Sequence, residues 1–180
     1  TGLRTACSVA QGLAFGANLP VLPMDTLLAV AEEACVASVV TGAVPVTRVL
    51  AVMDARMEQV YAAAYEFTPN ATQGTWRCVQ APELHSPESL HWPADWAPDS
   101  FIAAGNAWPV YAGRWPNALT APQVTALPTA AALVRLAPAA WSAGLAVPPE
   151  EALPLYIRDK VAQTTDERMQ IKAQQAAIAQ

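Results

Sequence analysis

The alternation of apolar and polar residues is clearest in the middle of the chain. Residues 49–53 form a nearly continuous apolar run, which is typical of a strand covered on both faces. A short break containing Asp54 and Arg56 follows, and apolar and aromatic residues resume over residues 60–67. Two such runs joined by a short mixed segment predict a β-hairpin. Asp54 and Arg56 would share one face of an extended backbone, where they could pair or anchor the turn through backbone amides.

Three other segments carry apolar residues at helical spacing. The first covers residues 3–15, with Gly16 as its C-terminal cap. The second begins at residue 25 or 26 and runs to about residue 37. The third, at residues 129–143, begins at the capping residue Thr129 and contains Pro138, which is expected to kink or shorten it.

The remaining extended segments are shorter. The pattern predicts strands at residues 19–24, 76–80 and 101–104, and an extended segment at 153–158. The strand at 76–80 would continue the hairpin as an antiparallel meander. The strand at 101–104 ends at Gly105-Asn106, which could present backbone amides to an anion or simply form a turn. These elements together predict an α/β fold.

The first predicted helix is unusually poor in polar residues. Arg4 is its only charged residue, and its small and apolar residues recur at helical spacing on one side. A helix of this kind is either buried on most sides or forms an interface. The residues predicted to line this face are Leu3, Ala6, Cys7, Ala10, Leu13 and Ala14.

The composition narrows the possible functions. Apolar residues make up 53% of the chain and charged residues 14%, which favours a protein partner. The net charge of −5 argues against a broad basic surface for nucleic acid. The three cysteines are far apart and form no C-x-x-C motif, as expected of a reduced, cytoplasmic protein. The sequence contains no apolar run long enough to predict a membrane span.

The motifs of common active sites are missing from the sequence. It contains no G-x-x-x-x-G-K-[ST] phosphate loop, no G-x-S-x-G elbow and no H-x-x-x-H metal pair. Its two histidines, His85 and His91, are six residues apart, which does not match helical metal-ligand spacing. They are interpreted as surface or packing residues, and no metal ligand is predicted.

Four stretches nevertheless resemble one family. They are TGLRTACSVAQGLAFG at 1–16, LPVLPMDTL at 19–27, RVLAVMDARMEQVYAAAY at 48–65 and LPLYIRDKVA at 153–162. The likeness is to the bacterial TsaB (YeaZ) family, which takes part in making threonylcarbamoyladenosine beside the anticodon of tRNA. Thr1, Gly2 and Arg4 match the end of a longer opening motif of that family. Because the preceding strands and first helix have no counterpart and the chain has no initiator Met, we expect a fragment.

The resemblance implies an actin/hsp70/sugar-kinase-like (ASKHA) fold of two lobes, with the first lobe truncated. Residues 1–46 would be the remainder of the first lobe, and residues 47–158 would form the second. The helix at 129–143 would lie in the second lobe or pack back toward the first. Residues 159–180 would be a polar tail.

The resemblance also implies a noncatalytic scaffold subunit. The expected partners are the catalytic paralogue TsaD, the ATPase TsaE and, as an alternative, a second copy of the chain, with tRNA reached only through the complex. ATP or ADP and a metal are implied in that complex, and no cofactor in this chain alone. The apolar face of the first helix would be the interface. The residues expected to have structural roles are Asp54, Arg56, Tyr61, Tyr156 and Arg158.

The alternative hypothesis is an enzyme. A nucleotide-binding or peptidase-like activity would use the cleft between the two lobes. Its candidate residues are Asp54, Arg56 and Asn106.

Overall fold

A computed structural model describes residues 2–40, 46–69 and 74–158. Thr1 and the predicted tail at 159–180 lie outside the described residues. The described residues form three α-helices: α1 (Gly2–Ala17), α2 (Thr26–Val40) and α3 (Ala130–Ser142). They also form five strands: β1 (Arg48–Arg56), β2 (Gln59–Thr68), β3 (Thr75–His85), β4 (Ile102–Gly105) and β5 (Gln123–Thr125). Two 3-10 turns lie at Pro87–Ser89 and Pro149–Glu151. The predicted α/β class is confirmed.

The five strands form one mixed sheet in the order β3-β2-β1-β4-β5. β1, β2 and β3 make the predicted antiparallel meander, in which Val49 lies opposite Tyr65. On its other edge β1 pairs in parallel with β4, and Val49 lies opposite Ile102. β1 is therefore the strand around which both halves of the sheet are arranged.

Both faces of β1 are covered, as its apolar run predicts. Leu50 and Val52 face a core built with aromatic residues from the connections on either side of β4, including Trp96 before it and Trp108 after it. Val49 and Ala51 face the opposite side, where α2 packs. Because successive side chains of a strand point to opposite faces, a strand between two cores needs apolar residues at every position.

α2 and α3 pack against each other beside the sheet. Ala132 and Leu136 of α3 meet Ala29 of α2 in a small core. The predicted cap is confirmed, since the Thr129 side chain accepts a hydrogen bond from the backbone of Ala132. Residues on both sides of the predicted boundary at residue 46 therefore contribute to connected cores. The division into lobes stays a prediction.

Polar contacts strengthen the junction between α2 and α3. Arg135 Nε lies 2.8 Å from Glu32 Oε1, and Arg135 Nη2 lies 2.6 Å from Glu33 Oε1. The Thr129 hydroxyl donates a hydrogen bond to Glu33. One cation therefore bridges two neighbouring carboxylates of α2 and holds α3 in place.

Several local predictions were wrong. Residues 19–24 form no strand, because prolines interrupt them, and only Val21 makes a bridge, to Val147. Residues 153–158 belong to no helix or strand, and the extended segment expected there stays a prediction. Pro138 does not shorten α3, which continues past it to Ser142, whereas the alternative of a kink stays a prediction. β3 extends to His85, and β5 was not predicted.

A helix that crosses a bilayer needs about 20 consecutive, predominantly apolar residues. In the described part of the chain, no helix combines the length and the apolar character that crossing a membrane requires.

Candidate functional site

α1 is the most exposed of the three described helices. In the described part of the chain, no residue of α1 is buried. Leu13 and Phe15 keep 71% and 80% of their surface accessible, and Leu3 and Val9 are exposed as well. An apolar helix with this much exposed surface is typical of an interaction site.

The predicted interface of α1 divides between two sides of the helix. Cys7, Ala10 and Ala14 are half-buried, on the side nearer the chain's own C-terminal segment. Leu3, Ala6 and Leu13 are exposed. We define the outer face of α1 as its exposed side, where positions recur every three or four residues. Its members are Gly2, Ala6, Val9, Leu13 and Gly16.

The outer face combines small and aliphatic residues. Gly2, Ala6 and Gly16 leave the backbone accessible, whereas Val9 and Leu13 project apolar side chains. A Cβ atom added at Gly2 or Gly16 would meet no atom within 4 Å in the described residues. Val9 was not predicted, although its spacing from Ala6 and Leu13 fits the same side of the helix. A face of this composition permits close approach of another helix.

Arg4 fastens the start of α1 to the C-terminal segment. Its Nε donates a hydrogen bond of 2.8 Å to the Tyr156 hydroxyl. The guanidinium carbon also lies 5.3 Å from the centre of the Tyr156 ring, within range of a cation–π interaction. The structure thus brings together two residues that were predicted separately. Thr1, the third residue of the predicted motif beside Gly2 and Arg4, lies outside the described residues.

A second group of predicted residues meets at the turn between β1 and β2. The backbone N–H of Arg56 donates to Asp54 Oδ1 at 2.8 Å, and Arg56 Nη1 lies 3.4 Å from Asp54 Oδ2. The structure therefore contains both contacts that the sequence suggested as alternatives. The Asp54 side chain is only 8% exposed, whereas that of Arg56 is 88% exposed. The bond to the backbone should matter more than the solvent-exposed ion pair.

Two residues from the segment after β4 complete this turn. Asn106 Oδ1 accepts a hydrogen bond of 2.9 Å from the backbone of Asp54. The Tyr111 hydroxyl donates to Asp54 Oδ1 at 2.8 Å. Burial and the hydrogen bond to Asp54 raise the pKa of Tyr111. Tyr111 was not predicted, because it lies 57 positions from Asp54 and belongs to no local motif.

Arg158 holds the other side of the same turn. Its Nη2 donates to the carbonyl oxygens of Ala55 and Arg56, at 3.2 and 3.5 Å. Arg56 and the next two residues have φ values of 62°, 53° and 58°. Such left-handed conformations are costly for residues other than glycine, so the turn needs contacts of this kind. Tyr61, also predicted, is half-buried beside the core under α2.

One further group of residues in the described part of the chain has the chemistry of a metal site. Glu83, His85 and His91 place one ligand atom each within 4.8 Å of the others. His85 and His91 were interpreted as surface or packing residues, because their separation of six residues does not match helical metal-ligand spacing. That criterion applies to helices, whereas here one histidine ends β3 and the other follows a 3-10 turn.

The sequence of the chain matches one family model and two curated proteins. A family model described as "TsaD: tRNA N6-adenosine threonylcarbamoyltransferase" matches residues 1–165. The tRNA threonylcarbamoyladenosine biosynthesis protein TsaB of Escherichia coli K12 is 32% identical over 164 residues, which is 90% of this chain and 67% of that protein. TsaB of Haemophilus influenzae is 30% identical over 165 residues, covering 89% of this chain and 66% of that protein.

Solved structures agree with the sequence relatives. YeaZ from Pseudomonas aeruginosa superposes with a TM-score of 0.71 and 36% identity, over 86% of this chain and 68% of that one. A second structure, titled as an uncharacterized protein with similarity to peptidase YEAZ from Pseudomonas aeruginosa, gives a TM-score of 0.73 at 36% identity, over 87% and 68%. The chain spans about two thirds of the length of these relatives. It belongs to the TsaB (YeaZ) family.

Proposed function

We propose that this chain acts in the biosynthesis of tRNA threonylcarbamoyladenosine as a noncatalytic scaffold subunit. The pathway is the one in the names of its curated relatives. The observation that carries the scaffold role is the outer face of α1, which is apolar, exposed and rich in small residues. The partners, nucleotide and metal ion named below are proposed on the basis of membership of the TsaB (YeaZ) family.

The physical argument for docking rests on exposed aliphatic surface. Burying a Val or Leu side chain contributes about 1.5–3 kcal/mol, so Val9 and Leu13 together could supply several kcal/mol toward association. In a contact with a second copy of this face, or with a similar helix, each of the two faces would contribute such burial energy. Glycine and alanine between the larger side chains let helices approach to about 8 Å. Association must still offset the lost freedom of the two molecules.

The proposed partner is a TsaD-type paralogue, with a second copy of this chain as the competing occupant and a TsaE-type ATPase joining the assembly. ATP or ADP and a metal ion would be bound in that complex. The net charge of −5 fits a subunit that reaches tRNA through its partners. The proposed location is the cytoplasm, where tRNA is modified.

The test compares two charge insertions in α1. Leu13→Glu places a carboxylate in the outer face, whereas Ser8→Glu adds the same charge to another exposed side of the helix. We expect Leu13→Glu to weaken association with the paralogue at least tenfold, equivalent to about 1.4 kcal/mol, and Ser8→Glu to leave it unchanged. Titration of the purified pair by calorimetry measures both. Ala10→Glu is less informative because Ala10 is half-buried against the chain itself.

If Leu13→Glu and the parent protein associate equally well, the partner docks elsewhere and the proposal is wrong. If both substitutions weaken association to the same extent, the effect is general electrostatics and not the outer face. Circular dichroism of each variant establishes that the helix content is retained.

The enzyme hypothesis has a separate test. Its candidate residues, Asp54, Arg56 and Asn106, already contact one another within the turn, which favours a structural role. We expect the isolated protein neither to bind ATP at micromolar concentration nor to hydrolyse it. Saturable ATP binding that Asp54→Ala abolishes, in a variant that remains folded, would support the enzyme instead.

A further inference from the structure

Three side chains with metal-ligand chemistry converge at the end of β3. Glu83 Oε2 lies 3.6 Å from His85 Nε2 and 3.9 Å from His91 Nε2. The two imidazole rings pack edge to face, with centroids 4.6 Å apart. The cluster thus contains two nitrogens and one carboxylate oxygen around a common point.

The local fold explains why these residues meet. Glu83 and His85 are two positions apart in a regular stretch of β3, opposite Ala62 and Val60, so their side chains point to the same face. The 3-10 turn at Pro87–Ser89 then reverses the chain, and the buried Leu90 anchors it. That reversal brings His91 back over His85.

His85 is buried, and its ring nitrogen Nε2 lacks a hydrogen-bond partner among the described residues. The residue is 8% exposed. A buried polar atom left unsatisfied costs about 1–3 kcal/mol, so such an atom in a native fold requires an explanation. A bound metal ion would satisfy this nitrogen.

The distances are close to those of a tetrahedral zinc site. With zinc–ligand bonds of about 2.0–2.2 Å, tetrahedral geometry separates two ligand atoms by roughly 3.3–3.6 Å. The two separations from Glu83 Oε2, 3.6 and 3.9 Å, require shifts of only a few tenths of an ångström. The two histidine nitrogens, which like the rest lie within 4.8 Å of each other, require a shift of up to about 1.5 Å. His91 has an additional feature of metal-bound histidines, because its Nδ1 lies 3.4 Å from the Ser89 carbonyl oxygen.

We propose that Glu83, His85 and His91 form a zinc-binding site. Two imidazoles and one carboxylate favour zinc over magnesium or calcium, which prefer oxygen ligands. Three protein ligands leave a fourth position for water or for a group from a partner. The ion would fasten the segment after β3 to the strand itself.

The test is titration of the purified protein, prepared without a histidine tag, with zinc chloride by calorimetry. Cobalt(II) titration followed by visible absorption gives a second readout, since tetrahedral cobalt absorbs strongly. We expect one ion per chain. His91→Ala and Glu83→Gln should each weaken binding about 100-fold, because even a supporting residue outside the ligand set is worth 10–100-fold in affinity. Both residues are exposed, so neither change should prevent folding.

Cys78→Ser is the matched control. Cys78 is an exposed thiol on the same strand and is the obvious competing ligand. Unchanged affinity in this variant, together with loss in the other two, supports the site. The proposal is overturned if the protein binds no zinc at about 100 μM, if His91→Ala binds as tightly as the parent, or if binding depends on Cys78.

Discussion

The Tyr111 hydroxyl donates a hydrogen bond of 2.8 Å to Asp54 Oδ1, and so joins the segment after β4 to the turn between β1 and β2. The same carboxylate oxygen accepts the backbone N–H of Arg56. One buried oxygen therefore receives donors from two distant parts of the chain. Loss of the Asp54 carboxylate should therefore loosen both the turn between β1 and β2 and the segment after β4.

Asp54→Ala is expected to lower the free energy of unfolding by about 2–3 kcal/mol, because it removes the acceptor of two donors, one of which belongs to the buried Tyr111. Tyr111→Phe removes one donor only and should cost about 1 kcal/mol. For a chain of this size each kcal/mol lowers Tm by roughly 2–4 °C, so calorimetric melting separates the two variants. Equal melting of Asp54→Ala and the parent would show that Asp54 does not hold the turn.

The same substitution, Gly→Ala, should have opposite effects at two positions. At Gly105, where φ is +149°, a Cβ would lie 1.8 Å from the Val52 carbonyl oxygen. Gly105→Ala should therefore destabilise the protein by about 3 kcal/mol or more. At Gly12, in the middle of α1, a Cβ would meet nothing within 4 Å. Gly12→Ala should stabilise by about 0.5–1 kcal/mol, because alanine loses less backbone entropy in a helix.

Thermal melting of the Gly105 and Gly12 variants side by side measures this difference. A Gly105→Ala protein that melts like the parent would mean that β1 and β4 can move apart at little cost. A Gly12→Ala protein with a lower Tm would mean that α1 is packed more tightly in solution than its exposure indicates.

The junction between α2 and α3 should depend on pH through Glu33. The hydrogen bond from Thr129, with the nearby Arg135, lowers the pKa of Glu33 below its ordinary value of 4.5. A lowered folded-state pKa stabilises the fold above the unfolded pKa, and this stability is lost as pH falls through the folded value. Glu33→Gln retains an acceptor for Thr129 but removes the charge.

We therefore expect Glu33→Gln to cost about 1 kcal/mol near pH 7 and progressively less below pH 4.5. Urea denaturation of the parent and the variant at several pH values measures the difference. A difference that is constant with pH would show that the carboxylate charge contributes nothing to the junction.

The contact between Arg4 and Tyr156 should control how firmly α1 is attached. Tyr156→Ala removes both the hydrogen bond and the cation–π contact, together worth about 1 kcal/mol at an exposed site. Amide hydrogen exchange in α1 should become about fivefold faster, while exchange in β1 stays unchanged. Leu155→Ala, at an exposed neighbouring position, is the control and should change neither. Equal exchange in α1 of both variants would exclude this role for Tyr156.

The sequence predicts well wherever a pattern repeats locally. The hairpin of β1 and β2 and the three helices follow from hydrophobic periodicity, and the pairing of Asp54 with Arg56 follows from their separation of two residues. The resemblance to the TsaB (YeaZ) family also agrees with the relatives found by comparison.

Contacts between distant segments could not be predicted in this way. Tyr111 and Arg158 reach the turn at Asp54 from far along the chain. Tyr111 lies in no motif, and the family-like stretch that contains Arg158 does not indicate that Arg158 contacts this turn. The segment at 19–24 carries apolar residues like a strand, but its prolines prevent regular pairing. His85 and His91 were judged by a helical spacing rule, whereas the fold places them on a strand and beyond a turn.

The mixed sheet has a consequence for the order of folding. β1 finds β2 across a short turn, but finds β4 only after the chain has closed a much longer loop, from Val49 to Ile102. The meander should therefore form early, and docking of β4 should be the slower event. Until β4 docks, one side of β1 remains an unpaired apolar strand edge, which is the feature most prone to aggregate during refolding.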